Sequence, residues 1–251
     1  MAAFAEKELT VKGDHQLIGA IVVFFIGAAF GSVLDGKADI GTLGDYLAAA
    51  VTLAAAFGGA WFAYRLQKER EEKKELEKHV SAGNHSIFNV MQMYHVLKNY
   101  QNQYIDPIRH RASRAMEMAP SYLLNDSVDL DLNRLSFLLD TSDKNILMEL
   151  HIENSKYEKA IQAINERSRM QIENVQPLLE KSGVLQGDAL TDAEIESAIG
   201  NRLFVSMQDI TENVINHVDT TVLSLKMIGD NLTESMIKNY PGSEIMKIVD
   251  E

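Results

Sequence analysis

Two long runs without a charged residue lie in the first quarter of this chain. Residues 16–34 and residues 46–64 each comprise nineteen residues and contain no Asp, Glu, Lys, Arg or His. A helix needs about 20 apolar residues to cross the hydrocarbon core of a bilayer. The eleven residues between the two runs are enough for a tight connection. The pattern therefore predicts a two-helix transmembrane hairpin over residues 16–64.

The lysines and arginines that flank the two runs predict the orientation of the hairpin. Two basic residues precede the first run, Lys37 alone lies in the connection, and six basic residues lie within residues 65–78. Basic residues close to membrane helices favour the cytoplasmic side. We therefore expect a multi-pass protein of the bacterial inner membrane with both termini in the cytoplasm.

Small residues recur at helical spacing in both runs. Gly27 and Gly31 lie in the first run, and Ala55, Gly59 and Ala63 lie in the second. Small side chains let helix backbones approach closely in lipid, so these residues are candidates for membrane helix packing. The packing could occur within one hairpin or between copies in a homo-oligomer. Transport by this chain alone is not expected, because ion and proton pathways usually need ionisable residues within the membrane.

The rest of the chain is acidic and has a helical pattern. The net charge is −2 over residues 1–78 and −10 over residues 79–251. Apolar residues recur in steps of three and four, which is typical of amphipathic helices, and no alternating strand pattern stands out. We predict an all-α chain with a cytoplasmic N-terminal segment (1–15), the hairpin (16–64), a charged helical stalk (65–83) and a cytoplasmic antiparallel helical bundle (84–251).

Several local signals set the expected helix boundaries in the cytoplasmic domain. Gly83 is the expected position of a bend after the stalk. Pro107 and Pro120 bracket an irregular segment, because proline interrupts helices. Thr191 and Glu194 match a capping box at a helix start. The last long helix is expected to carry one apolar stripe on residues that include Ile195, Ile199, Leu203, Met207, Ile210, Val214, His217, Thr221 and Leu225.

Residue types and motifs argue against catalysis. The chain has no cysteine, which excludes disulfides, thiolate metal sites and a cysteine nucleophile. No phosphate-binding glycine loop, nucleophile elbow or paired metal-binding histidines are found in the sequence. We expect a protein that is not an enzyme and uses no cofactor or metal. Broad nucleic-acid binding is not expected either, because it requires a basic surface.

Two groups of polar residues are candidates for function in the cytoplasmic domain. Arg109, His110, Arg111 and Arg114 form a local basic cluster that could contact a phosphate or a partner, or could pair with acidic residues later in the chain. His217 and Thr221 are polar residues on the apolar stripe of the last helix. Such residues can set the register of helix packing, and a histidine can also sense pH or contact a partner.

Two stretches resemble a group of bacterial membrane proteins. They are LDLNRLSFLLDTSDKNILMEL at Leu130–Leu150 and KAIQAINERSRM at Lys159–Met170, about 33 residues in all. The group combines a two-helix membrane anchor with a helical cytoplasmic domain. Its layout is similar to that of the two-transmembrane effectors encoded beside a retron reverse transcriptase in anti-phage defence.

The resemblance implies a toxic effector that stays silent until phage infection. When its cytoplasmic domain or partner complex is triggered, it would perturb or permeabilise the inner membrane and cause growth arrest or cell death. The implied partners are membrane lipid, further copies of the chain and a cytoplasmic protein, which could be a reverse transcriptase with its nucleic-acid product. The alternative is a non-toxic membrane anchor or adaptor that recruits a cytoplasmic protein complex.

Overall fold

The computed structural model describes residues 40–121, 128, 130–183 and 191–247, with residues 40–43, 46 and 47 described by their backbone alone. The N-terminal segment and the first uncharged run, including Gly27 and Gly31, lie outside the described residues. Within the described ranges all regular secondary structure is helical and no strand occurs. The prediction of an all-α chain is confirmed for this part.

The helical segments divide between two compact units. One unit ends at Lys74 and the other begins at Glu75, and the first helix, α1, contributes residues to both. The segments are α1 (Ile40–Tyr100), a π-helical turn (Gln101–Ile105), α2 (Arg114–Glu117), a 3₁₀-helix (Leu132–Asp140), α3 (Asn145–Met170), a second π-helical turn (Gln171–Val175), α4 (Gln176–Lys181), α5 (Asp192–Ile199) and α6 (Asn201–Asn239).

The described part of the first unit belongs to α1 and contains the second uncharged run. This is one helix that is long and apolar enough to cross a membrane, and none of the apolar window is buried. Charged residues follow immediately: the Arg65 guanidinium lies 5.7 Å from the ring centre of Trp61 and forms a 3.2 Å ion pair with Glu69. An apolar helix that ends in charged and aromatic residues has the composition of a membrane-associated helix.

The second unit has a core formed mainly by α1, α3 and α6. Helices α1 and α6 run antiparallel, because Gln101 hydrogen-bonds Asp219 whereas Gly83 lies against Met236. Helices α3 and α6 are also antiparallel, since Glu153 contacts Ser224 and Asp143 contacts Lys238. Fully or almost fully buried core residues include Ile87, Met93, Leu97, Leu135, Leu150, Ile164, Val214, Val218, Leu225 and Leu232.

The predicted helix start at Thr191 is confirmed, whereas the predicted extent of the last long helix is wrong. Thr191 and Glu194 form the predicted capping box at the start of α5, and α6 ends at Asn239, just before Pro241. However, the sequence pattern joined Ile195 and Ile199 to the last long helix, whereas α5 and α6 are separate. The break lies at Gly200, whose φ of +84° is a conformation that glycine adopts at little cost.

The interruption near Pro107 is confirmed. Helix α1 gives way to the π-helical turn, and only the single turn of α2 is helical between Pro107 and Pro120. In contrast, α1 stays helical through Gly83, where the stalk was expected to bend. The segment after α1 carries the whole basic cluster, of which Arg109 and Arg114 contact α6.

Candidate functional site

Arg109 connects the segment after α1 to helix α6. Its Nη1 and Nη2 donate to the two carboxylate oxygens of Asp219 at 2.6 Å and 2.9 Å, and Nε and Nη2 donate to Asp106 at 3.2 Å and 3.0 Å. Gln101 donates a further 2.7 Å bond to Asp219. Paired N–H bonds between an arginine and a carboxylate fix the orientation of both groups. This contact therefore sets the position of the segment on α6.

The other members of the basic cluster have different surroundings. Arg114 forms a 2.7 Å ion pair with Glu212 on α6, and Arg111 pairs with Glu117 on α2. His110 is exposed. Arg109 and Arg114 thus pair with acidic residues much later in the chain, which is one of the two alternatives raised by the sequence, whereas Arg111 pairs locally. A contact between the cluster and a phosphate or a partner stays a prediction.

The ion pair between Arg109 and Asp219 shifts the pKa values of both groups. The pKa of the Asp219 carboxyl is lowered chiefly by the hydrogen bond from Arg109, and the bond from Gln101 and the charge of Lys98 act in the same direction. The pKa of Arg109 is raised, above all by its bond to Asp219. Both groups are charged at neutral pH, so the pair is ionic.

A groove of about 360 Å³ opens beside this ion pair, between α1 and α6. We call it the α1–α6 groove. Three of its lining residues are cationic, one is anionic, and the others supply a phenol ring, an amide and two apolar side chains. The lining residues are Tyr94, Lys98, Gln101, Arg109, Asp219, Val222, Leu223 and Lys226. Their formal charge sums to +2, against −12 for the whole chain.

A completely buried arginine lies behind the basic cluster. Arg167 on α3 is 0 % exposed. Its Nη2 donates to the main-chain oxygens of Ala115 and Met118 at 3.0 Å and 2.7 Å, and its Nε donates to the Thr211 hydroxyl at 2.9 Å. Gln171 accepts from Nη1 at 2.9 Å. Arg167 therefore joins α2, α3 and α6 through one side chain.

The partners of Arg167 are neutral, which is unusual for a buried cation. Burial lowers the pKa of Arg167 to about 10, so the side chain still carries its proton at pH 7. Burial also raises the pKa of the neighbouring Tyr100 phenol to about 12. Sequence reasoning missed Arg167, because ERSRM is typical of the exposed end of a helix. Its position between Ile164 and Ser168 on the buried face is a signal that could have identified it.

His217 and Thr221 lie on α6 but differ in burial. Thr221 is 1 % exposed, and within the described residues its hydroxyl has no hydrogen-bond partner. His217 is only half-buried. The buried stripe of α6 passes through Phe204, Thr211 and Val218, one residue after the predicted Leu203, Ile210 and His217. His217 therefore flanks the core, whereas Thr221 belongs to it.

The small residues of the second uncharged run share one exposed face of α1. Ala55, Gly59 and Ala63 are all exposed, and a Cβ added at Gly59 would meet no atom within 4 Å. No contact within the described chain covers this face. It is therefore available for lipid or for another helix.

The described residues contain no group of three or more His, Asp and Glu side chains placed to hold a metal ion. The geometry supports binding and packing: a buried arginine that ties three helices, an ion pair at a groove, and an uncovered apolar helix face. No family model matches the chain, and no curated protein or solved structure matches it.

Proposed function

We propose that the protein is a membrane-anchored effector of bacterial anti-phage defence. Its two uncharged runs form a transmembrane hairpin with both termini in the cytoplasm, and its helical domain is a cytoplasmic bundle that controls the hairpin. When the bundle or its partner complex is triggered, copies of the hairpin associate and permeabilise the inner membrane. Growth arrest or cell death of the infected cell follows.

The observation that carries this proposal is the exposure of the apolar run in α1. The whole apolar window is unburied, whereas the buried core residues of the second unit begin with Ala82. Apolar side chains on this scale are rarely left in water, and a bilayer or another membrane helix would cover them. The resemblance of Leu130–Leu150 and Lys159–Met170 to membrane effectors agrees with this interpretation.

The small-residue face supports association between copies over conduction by one hairpin. One uncharged hairpin offers no path for ions, because it has no polar lining in the membrane. Several hairpins that meet through Ala55, Gly59 and Ala63 could enclose a pore or disorder the bilayer around them. Close approach of helix backbones at small residues is the usual basis of such contacts in lipid.

Inducible expression in bacteria tests the proposal. We expect the full chain to stop growth and collapse the signal of a potential-sensitive dye within one generation, and a variant lacking residues 1–64 to do neither. A full chain that accumulates in the membrane without arrest or depolarisation would refute the effector proposal. The truncated variant also controls for general toxicity of overexpression.

A matched pair of glycine variants tests the packing face. Gly58 and Gly59 are adjacent, and a Cβ at either one meets no atom within 4 Å in the single chain. Only Gly59 lies on the face with Ala55 and Ala63. We expect Gly59→Leu to abolish depolarisation and Gly58→Leu to retain most of it. Equal effects of the two substitutions would exclude this face as the site of helix packing. The substitutions Gly27→Ile and Gly31→Ile test the first uncharged run in the same way.

The absence of cysteine makes the topology directly measurable. Single substitutions Ala5→Cys, Ala38→Cys and Glu251→Cys introduce one thiol each into an otherwise cysteine-free chain. In intact spheroplasts, an impermeant maleimide should label only Ala38→Cys. Labelling of either terminal thiol would contradict a hairpin with both ends in the cytoplasm.

The second candidate is a non-toxic adaptor that holds a cytoplasmic complex at the membrane. It is favoured by large apolar side chains exposed on the second unit. Leu223 and Met227 on α6 are 68 % and 65 % exposed, and Met148 on α3 is 64 % exposed. Substituting Leu223 and Met227 with Ser should release the partner complex while the full chain stays membrane-bound, and growth should be normal throughout.

A further inference from the structure

We propose that the α1–α6 groove is a binding site for a small organic phosphate, a phosphate monoester with a flat ring, of which a nucleoside monophosphate is the simplest example. The phosphate group would lie against the lysines, and the ring would lie against the phenol and the apolar residues. This inference concerns the second unit alone and does not depend on the membrane proposal.

The arrangement of the lining residues carries the inference. Tyr94 and Lys98 on α1 and Gln101 in the π-helical turn that follows it recur at helical spacing, and Asp219, Val222 and Lys226 do so on α6. The hydrogen bond between Gln101 and Asp219 fixes the antiparallel register at one end of the groove. The same register brings Tyr94 and Lys226 to the other end. The groove is therefore about two helical turns long, or roughly 10 Å.

The charge balance favours a dianion. A phosphate monoester carries a charge of about −1.5 to −2 at pH 7, which is opposite in sign to the net positive charge of the lining. Arg109 is already engaged by Asp219 and Asp106, so it closes one end of the groove and is not expected to bind the ligand directly. Lys98 donates to the neutral amide oxygen of Gln101 at 2.7 Å, and its other N–H groups can reach a phosphate.

The aromatic and apolar side chains beside the lysines suit a ring. Tyr94 is half-buried and presents an aromatic surface, Val222 is buried, and Leu223 is 68 % exposed at the rim. Ligand sites commonly combine apolar surface with a few oriented polar groups, in volumes of roughly 300–1,000 Å³. The volume of about 360 Å³ suits a small ligand of this kind.

The local backbone gives independent support. The groove borders the π-helical turn at Gln101–Ile105, which directly follows α1. Single π-helical turns are rare and frequently occur at functional sites. Here the turn carries Gln101, the residue that touches both Lys98 and Asp219.

Calorimetric titration of the detergent-solubilised full chain tests the proposal, with AMP, adenosine and inorganic phosphate as separate probes. We expect AMP to bind at least about tenfold more tightly than either adenosine or phosphate, because only AMP can contact both the lysines and the aromatic and apolar side chains. Absence of AMP binding would overturn the proposal. Phosphate binding as tight as that of AMP would also overturn it, because the site would then recognise a bare anion.

Lysine variants connect the binding to this groove. Lys98→Gln and Lys226→Gln should each weaken AMP binding about tenfold, which corresponds to the loss of one charge-assisted hydrogen bond. Lys159→Gln, an exposed lysine on α3, should leave the affinity unchanged. Far-UV circular dichroism establishes that each variant is folded. AMP binding that is insensitive to both groove variants would place the ligand elsewhere and contradict the proposal.

Discussion

Arg167 donates a 2.7 Å hydrogen bond from Nη2 to the main-chain oxygen of Met118, 49 residues earlier in the chain. The same nitrogen also donates to Ala115. Both acceptors lie in or next to α2, so the charged group of α3 closes the end of this short helix. A cation near the carbonyl end of a helix is favourable, which offsets part of the cost of burying Arg167 without a carboxylate.

Removing this charge should destabilise the second unit. Arg167→Met relieves the desolvation of the guanidinium but leaves two main-chain oxygens, the Thr211 hydroxyl and the Gln171 amide without their donor. Each buried polar group left unpaired costs about 1–3 kcal/mol, so we expect a net loss of about 2–4 kcal/mol. Thermal unfolding followed by circular dichroism at 222 nm measures the change.

The neighbouring Arg169 provides the matched control. Its side chain is 61 % exposed, and it lies 3.8 Å from Glu166, a geometry that contributes little to stability. Arg169→Met should change stability by less than about 0.5 kcal/mol. Similar losses in both variants would mean that the helix tolerates no methionine here and that the buried contacts of Arg167 are not the cause.

Local sequence signals predicted two of the helix boundaries, whereas the burial of Arg167 was decided by long-range contacts. The Thr191–Glu194 capping box and the break near Pro107 depend on residues a few positions apart, so the sequence contains the whole cause. The burial of Arg167 depends on Ala115, Met118 and Thr211, which are distant in sequence. Helical periodicity can place such a residue on a face but cannot supply its partners.

The same contact explains the displaced stripe on α6. The sequence pattern placed Ile210 and His217 on the apolar stripe, because both follow its steps of three and four residues. Instead, Thr211 is buried, because its hydroxyl accepts a hydrogen bond from Arg167. The core then continues with Val218, and His217 moves to the flank. The role of Gly27 and Gly31 in membrane helix packing stays a prediction from their spacing in the sequence.

A side chain at Gly83 should force the end of the Met236 side chain to move. A Cβ at this position would lie 2.2 Å from Cε and 2.7 Å from Sδ of Met236, which is 0 % exposed. We expect Gly83→Ala to lose about 1–3 kcal/mol by overpacking, partly offset by a gain in helix propensity of about 1 kcal/mol. Thermal unfolding gives the net effect.

A double variant identifies the cause at Gly83. Met236→Ala creates space for the new methyl group, so Gly83→Ala should be less harmful in the Met236→Ala background than in the native chain. The difference is the coupling energy of the two sites. Strictly additive losses would exclude the contact with Met236 as the reason for a glycine at this position.

Asp143 should stabilise the fold at neutral pH and lose this effect in acid. Its carboxylate accepts hydrogen bonds from Lys238, Ser142, Ser235 and Asn239, and the bond from Lys238 contributes most to lowering its pKa from 3.8 to about 2. A folded-state pKa below the unfolded value stabilises the protein above pH 4. The contribution falls as the pH decreases from about 4 to about 2 and the carboxylate takes up a proton.

Asp143→Asn should therefore lower the melting temperature at pH 7, and its difference from the native chain should shrink below pH 4. Melting curves at pH 7, 5, 3 and 2 would test this. Asp140→Asn, at an exposed neighbouring carboxylate, serves as the control. A difference for Asp143→Asn that stays constant down to pH 2 would show that lost packing, not lost charge, is responsible.

Thr221 is a position where a substitution should stabilise the protein. Its hydroxyl is buried and has no partner among the described residues, whereas the hydroxyl of the adjacent Thr220 donates to Asn216 at 2.7 Å on the exposed side of α6. Valine has nearly the shape of threonine without the polar atom, so Thr221→Val removes a desolvation cost of about 1 kcal/mol or more. The melting temperature should rise by a few degrees.

Thr220→Val, the control, removes a satisfied and exposed hydroxyl and should change little. A melting temperature lowered by Thr221→Val would mean that the Thr221 hydroxyl is hydrogen-bonded in the folded protein. That bond would then help to set the register in which α6 packs.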